Sequence, residues 1–391
     1  NKGRSSDNVD YEYSDYVFDN DAPQYYMSNS SAASPSGYYF IGDAAISTGS
    51  ERFLYYFDMV NKSVMPLCTK LNCEHNSQDC DAYVSDKSRV TGGLWYYNNR
   101  LYMIERTDEK DLLVSYDKTG RDKKTEAVLS VNGMSVVSSR QRACFSHGKL
   151  YYILTSEKTQ YLYYVQVGTN TQPQFIKEYS TVYGIRETIT LYPVGEKVYV
   201  KLVSGITDVT NDYILESIDI NDNNVSKVYD YMSDGSIFRG EADDWNNGAY
   251  IDESGNMYFI SLTEDSYILN KMNTVSKDNE EIFVIDLSQD TGKKEAYTDF
   301  LGIDDKYIYI LERVDFSIAE NRKNKELKNK LDILDTKGNI VDVIEFTTND
   351  KYAKENQVGT EGNGLQFDFF NGDSRYMLFA VEGYSKTGVE F

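Results

Sequence analysis

The stretch Ala143–Ser180, ACFSHGKLYYILTSEKTQYLYYVQVGTNTQPQFIKEYS, decides the fold. Four short strands read out of it. Ala143–Ser146 comes first, then a tight turn at His147-Gly148-Lys149, then Leu150–Thr155, Tyr161–Val167 and, after Gly168-Thr169-Asn170, Gln174–Tyr179. Runs of Tyr, Val, Ile and Phe broken by Gly and Asn every ~8–12 residues are the signature of antiparallel sheet. One such sheet cannot bury both its faces, so it needs copies of itself stacked on either side.

The copies are present. A polar turn followed by a Tyr-rich strand recurs at Asn98-Asn99-Arg100 before Leu101–Ile104, at Gly195-Glu196-Lys197 before Val198–Val200, and at Gly255-Asn256 before Met257–Ile260. It returns at Asp304-Asp305-Lys306 before Tyr307–Ile310 and at Gly372-Asp373-Ser374 before Tyr376–Phe379, and Gly37–Ile41 is a less regular first copy. An apolar residue followed by Asp marks the end of the third strand at Phe57-Asp58, Tyr116-Asp117, Ile218-Asp219, Ile285-Asp286 and Leu334-Asp335. Each of these carboxylates stands where it can accept from turn amides, which makes it structural before it is chemical. The repeat of roughly 48 to 68 residues is that of propeller blades rather than solenoids.

The expected fold is therefore all-β: a seven-bladed β-propeller of four-stranded antiparallel blades. Residues 1–10 read as a polar tether and 11–391 as a single propeller domain. Its blades are expected near 24–68, 91–130, 143–180, 189–232, 247–298, 300–347 and 363–391. The last lacks an outer strand, and Tyr11–Phe18, YEYSDYVF, is expected to supply it and close the ring, which would remove an exposed edge. Two stretches read as insertions, one from Glu264 to Asn279 and the charged Ser317–Lys330, a helix candidate without an apolar stripe.

Bulk properties bound the function. The 391 residues carry 62 Asp and Glu against 40 Lys and Arg, a net charge of −22, which disfavours nucleic acid and anionic membrane surfaces as partners. No run of ~18 apolar residues suggests a spanning helix. The opening NKGRSSDNVD, without an initiator Met, suggests a mature form from which a targeting segment has been removed. Its polar character resembles the spacer after a lipid-anchor cysteine.

The one non-repetitive constellation is CTKLNCEHNSQDC from Cys68 to Cys80, which places Cys68, Cys73, His75 and Cys80 within thirteen residues of a chain holding four cysteines and two histidines. The spacing reads as a crossover from blade one to blade two. Three thiolates and one imidazole make a closed tetrahedral zinc site of the structural type. The Cys-x-His step is tighter than usual zinc spacings, and a disulfide such as Cys68–Cys80 or Cys73–Cys80 is the alternative in an oxidising compartment. Either way the stretch pins a long connection. Cys144 and His147 imitate a second pair, but the repeat puts Cys144 on an innermost strand and His147 in the turn equivalent to Asn99.

Other candidate chemistry is thin. Asp219–Asn224 matches the first half of a calcium loop but lacks its central Gly and terminal Glu, and reads as a turn. Asp243, Asp244 and Trp245 form an acidic pair beside one of two tryptophans, which can stack on a sugar ring and bond its hydroxyls. No nucleophile elbow, phosphate loop or zinc-protease motif is present in the sequence.

The repeat pattern together with PLCTKLNCEHNSQDCDAY, Pro66–Tyr83, resembles propeller lipoproteins of Gram-positive gut Clostridia, a family with no assigned activity. The resemblance implies an extracytoplasmic chain tethered at the cell surface through an N-terminal anchor. The expected function is a monomeric, non-enzymatic binding or scaffold module for a protein or glycan on a blade-loop face, with a carbohydrate-active enzyme acting near the central channel as the alternative.

Overall fold

The computed structural model describes residues 24–25, 31–43, 51–86, 90–137, 142–156, 159–180, 188–207, 210–230, 250–252, 254–262, 266–286, 296–303, 306–314, 328–346, 364–372, 377–385 and 388–390. Strand β1 is Gln24–Tyr25. Blade one contains β2 Ser31–Ser34, β3 Gly37–Asp43, β4 Glu51–Asp58, β5 Ser63–Pro66 and β6 Tyr83–Asp86. Blade two contains β7 Val90–Tyr97, β8 Arg100–Arg106, β9 Asp111–Asp117 and β10 Lys124–Val128. Blade three has the short β11 Ser135–Val136, then β12 Ala143–Ser146, β13 Lys149–Ser156, β14 Thr159–Gln166 and β15 Asn170–Ser180. Blade four is β16 Thr188–Val194, β17 Lys197–Thr207, β18 Thr210–Asp219 and β19 Val225–Asp230. Blade five is β20 Tyr250–Ile251, β21 Asn256–Leu262, β22 Ser266–Asn273 and β23 Asn279–Asp286. Blade six is β24 Ala296–Ile303, β25 Tyr307–Val314, β26 Lys330–Asp335 and β27 Ile340–Glu345. A further sheet holds β28 Gly364–Gly372, β29 Met377–Ser385 and β30 Gly388–Glu390.

The all-β propeller of antiparallel blades is thus present, with six four-stranded blades among the described residues in place of the seven expected, because three strands are described between 364 and 390. Tyr11–Phe18, the expected closing strand, lies outside the described residues. The N-terminal pairing that is described lies elsewhere. Gln24 and Tyr25 sit opposite Ile303 and Gly302, adding β1 to the free edge of the first strand of blade six rather than starting blade one. The expected insertion at Glu264–Asn279 is also corrected. Half of it is β22, the regular third strand of blade five, followed by a tight turn that leads into β23. Only 328–330 of the second insertion is described, and Lys330 opens β26.

Apolar side chains from the inner strands of one blade meet their counterparts in the next, whereas β27 is exposed along its length. Leu150, Tyr152 and Phe145 pack with Trp95, Tyr102 and Ile104 between blades two and three. Tyr151, Ile153 and Cys144 pack with Ile189, Leu191 and Val198 between blades three and four. Blades one and two, four and five, and five and six are joined in the same way. Among the described residues no helix is long and apolar enough to cross a membrane.

Four of the five recurrent aspartates are turn formers, as expected; Asp286 instead ends β23, the fourth strand of blade five. Asp58 accepts from the amides of Val60 and Asn61, Asp117 from Thr119 and Arg121, Asp219 from Asn221, and Asp335 from Lys337 and Asn339. In blade five Asn273 takes that part, accepting from Val275 and Ser276.

Candidate metal centre

Blade one has an outer strand in two pieces. β5 pairs with Tyr55–Asp58 of β4, and β6 pairs with Glu51–Phe53 of the same edge. Leu54 stands at the gap. Its carbonyl accepts from the amide of Leu67 at 2.8 Å and its amide donates to the carbonyl of Ala82 at 2.7 Å, so both ends of the intervening segment are caught on one residue. Residues 68–81 therefore form an excursion inside the outer strand of blade one, where the sequence suggested a crossover between blades.

Inside the excursion the chain reverses tightly. Cys68 donates its amide to Pro66, Cys80 to Ser77, and Tyr83 to Cys80. Asn72 and His75 take left-handed backbone angles, φ 59° and 54°, a conformation that Asn and His tolerate better than branched residues. Asp81 ties the two ends: its carboxylate accepts from the Thr69 hydroxyl at 3.1 Å and pairs with Lys70 at 3.3 Å and with Arg121 of blade two at 3.7 Å. The Lys70 ammonium also donates to the carbonyl of Asp79.

These constraints bring Cys68, Cys73, His75 and Cys80 together, with all four donor atoms within 4.8 Å of one another. His75 Nδ1 lies 3.3 Å from Cys80 Sγ. A zinc tetrahedron with metal–sulfur bonds of ~2.3 Å has edges of ~3.8 Å, so a small contraction converts the group into a coordination shell. The floor is apolar. Cys80, 4% exposed, packs with Phe53 and Ala82, and Tyr55 and Tyr83 close over it.

The backbone also aims donors at sulfur. The amides of Lys70 and Asp81 bond Cys68, and the amide of Ala82 bonds Cys80. Burial pushes the Cys80 thiol up to about 12, the neighbouring thiols of Cys73 and Cys68 adding to the effect. Burial also opposes ionisation of Cys68, but the amides of Lys70 and Asp81 with the thiols of Cys80 and Cys73 outweigh it, and the net shift is downward. Such a set needs a cation to hold more than one thiolate in so small a volume, and three soft sulfurs with one imidazole suit zinc. No disulfide joins the four cysteines in this structure.

The other sequence candidates separate. Cys144 is buried between blades three and four, and burial raises its thiol far above the usual range. His147 occupies a left-handed turn position with Nδ1 at 2.8 Å from the Ser146 hydroxyl and Nε2 at 3.4 Å from Glu196. Asp219–Asn224 is the expected turn, closed by the Asn223 amide on the Asp219 carbonyl. Asp243, Asp244 and Trp245 lie outside the described residues. Leu54, Asp81 and Arg121 were not legible as parts of the site; the acidic residue directly after Cys80 was the sole sequence hint.

No family model matches the chain, and no curated protein matches it. Among solved structures it is similar to an oligogalacturonate lyase from Vibrio parahaemolyticus, at 12% identity and a TM-score of 0.48 over 84% of this chain and 79% of that one. A protein from Lactobacillus plantarum is similar at 10% identity and 0.43, over 80% and 83%. The Dos1 propeller is similar at 12% and 0.42, over 94% and 80%. Likeness of this degree says nothing of activity.

Proposed function

We propose that the chain is a non-enzymatic, extracytoplasmic binding or scaffold module, monomeric and tethered at the cell surface, which recognises a protein or glycan through its blade-loop faces. In this reading Cys68, Cys73, His75 and Cys80 hold one structural zinc ion that fixes the rim of blade one. The observation that carries the non-enzymatic part is the engagement of the acidic groups. Among the described residues the buried carboxylates are Asp111, Glu216, Glu312 and Asp332, and each has a cation: Arg106 at 2.8 Å, Lys177 at 2.6 Å, and Lys330 at 2.8 and 3.2 Å. These carboxylates are packed in ion pairs within the blades. Burial and the neighbouring Asp332 raise Glu312 against the pull of Lys330, but glycoside hydrolysis needs a raised acid that faces a substrate, not one held by a lysine.

The alternative, a carbohydrate-active enzyme with an acidic site near the central channel, draws less support. β1 extends the free edge of β24, the first strand of blade six, and lies near β16, the first strand of blade four. The resemblance to propeller lipoproteins supports the location, and the charge of −22 speaks against nucleic acid as a partner.

The test uses the full chain on an array of neutral and acidic oligosaccharides, with bound fraction and released reducing ends measured together. Saturable binding without release fits the module, and catalytic release of products overturns it. Absence of glycan binding moves the ligand to the protein class. Metal analysis with thiol counting addresses the zinc site: one zinc per chain is expected, with thiols that react only after chelation.

A further inference from the structure

The four side chains that form a metal cage are also a dithiol in waiting. The sulfurs of Cys68, Cys73 and Cys80 are mutual hydrogen-bond neighbours. All donor atoms lie within 4.8 Å, so forming an S–S bond of ~2.05 Å asks for a shift of at most about 3 Å between two side chains. The excursion is anchored independently of its sulfurs, by Leu54 at both ends and by Asp81 with Thr69, Lys70 and Arg121. Sulfur chemistry can therefore change while the segment stays in place. Cys68 and Cys73 are half-buried and reachable by a small oxidant. The fourth cysteine, Cys144, is sealed between blades and cannot exchange with them.

We infer that this site is an oxidant-responsive metal switch, in which a two-electron oxidant joins two of the three sulfurs of Cys68, Cys73 and Cys80 and thereby releases the zinc. The inference rests on the zinc reading given above. One bridge removes two of four donors and leaves one thiolate with His75, which no longer makes the closed shell that a structural zinc requires. With hydrogen peroxide as oxidant, each sulfur gives up one electron and the S–S bond forms. The O–O bond breaks, two protons come from solvent, and the products are two waters and the hydrated zinc ion. A dithiol reductant reverses the step by exchange. Zinc and disulfide, alternatives from the sequence alone, become two states of one site.

The experiment takes the full chain, loaded with one zinc, and titrates it with hydrogen peroxide. Zinc release is followed with a chromogenic chelator, free thiols with a thiol reagent, and the bridge by peptide mass spectrometry. The expected result is one zinc released for every two thiols lost, a bridge between two of Cys68, Cys73 and Cys80, and rebinding of zinc after dithiothreitol. The Cys144→Ser variant should behave identically, and His75→Ala should bind zinc more weakly yet still form the bridge. Zinc retained through oxidation overturns the inference and leaves the metal reading standing. Zinc lost only with sulfinic or sulfonic acid also overturns it. A reduced chain that takes up no zinc overturns both readings together.

Discussion

Blade three and blade one solve the same problem in different ways. In blade three the outer strand β15 runs eleven residues along β14 with only two register shifts, and both faces of the blade are covered by neighbours. Aromatic rings continue across its strands, Tyr152 to Tyr163 at 6.2 Å and Tyr163 to Phe175 at 5.6 Å. In blade one the outer strand is cut in two and an apolar-floored excursion leaves the sheet between the pieces. The difference separates two sources of order. Burial between blades holds the ring, and it is indifferent to what happens at an outer edge. The edge can be opened wherever the freed backbone groups are caught again, here on Leu54, and the loop so formed needs its own cross-link because it has little apolar surface to bury.

The sharpest way to break that contrast is to damage each region separately. Phe145 is fully buried between Trp95, Tyr97 and Tyr102, with the Tyr102 ring stacked at 5.0 Å. Phe145→Ala should lower global stability by about 3–5 kcal/mol, read from the urea midpoint at unchanged slope. Chelation of the metal should cost less, about 2.7 kcal/mol when free zinc had stood near 100 times its dissociation constant. That loss should be local: amide exchange at Leu54 and Leu67 accelerates while blade-three amides keep their protection. Equal acceleration in blade three would show that the knob supports the whole ring, and the contrast would fail.

A smaller effect comes from the turn aspartates, which the two regions share with the rest of the chain. The Asn61 side chain, followed by the turn amides, holds Asp58 below the usual carboxylate range, and Asn339 does the same for Asp335. A carboxyl whose folded value is depressed contributes stability that is complete above its unfolded value near pH ~3.9 and disappears as pH falls through the folded value. Asp58→Asn and Asp335→Asn should therefore each lower stability slightly at neutral pH, where the carboxylate's contribution is complete, and leave it unchanged near about pH 2, which flattens the acid side of the profile; the loss is small because both groups are solvent-exposed. A loss at pH 7 as large as that of Phe145→Ala would mean that the turns, not the blade interfaces, set the stability.

How much was legible follows the same division. The second strand of each described repeat stood out because a polar turn and an alternating aromatic run occur together, as in β8, β13, β17, β21 and β25. β22 was read as an insertion because its alternation is broken by Asn270 and Asn273. Asn270 is buried but donates to Ser261 and the carbonyl of Ile268, so it satisfies the sheet without looking like it. The cysteine cluster was visible from spacing alone. Its location was not, because Leu54 is one more apolar residue in an alternating strand, and the directions of its amide and carbonyl leave no trace in side-chain pattern. The number of four-stranded blades depends on strand pairing at the two ends of the chain, a non-local property that a repeat count cannot supply.

The smallest expected effect tests the contrast at a single residue type. Leu71 and Leu150 are the same side chain in opposite settings: Leu71 is 93% exposed on the excursion between Cys68 and Cys73, while Leu150 is fully buried against blade two. If order at the rim comes from Leu54, Asp81 and the four donor atoms rather than from apolar packing, Leu71→Ser removes nothing that matters. Stability should then stay within about 0.5 kcal/mol of the parent, and zinc uptake should remain at one per chain. The same change at Leu150 buries a hydroxyl and leaves a cavity, and should cost several times more. A large loss with Leu71→Ser, accompanied by loss of zinc, would show that the tip folds back onto the blade. The excursion would then be a small core in its own right, and its cysteines would be passengers of packing rather than the reason the loop holds its shape.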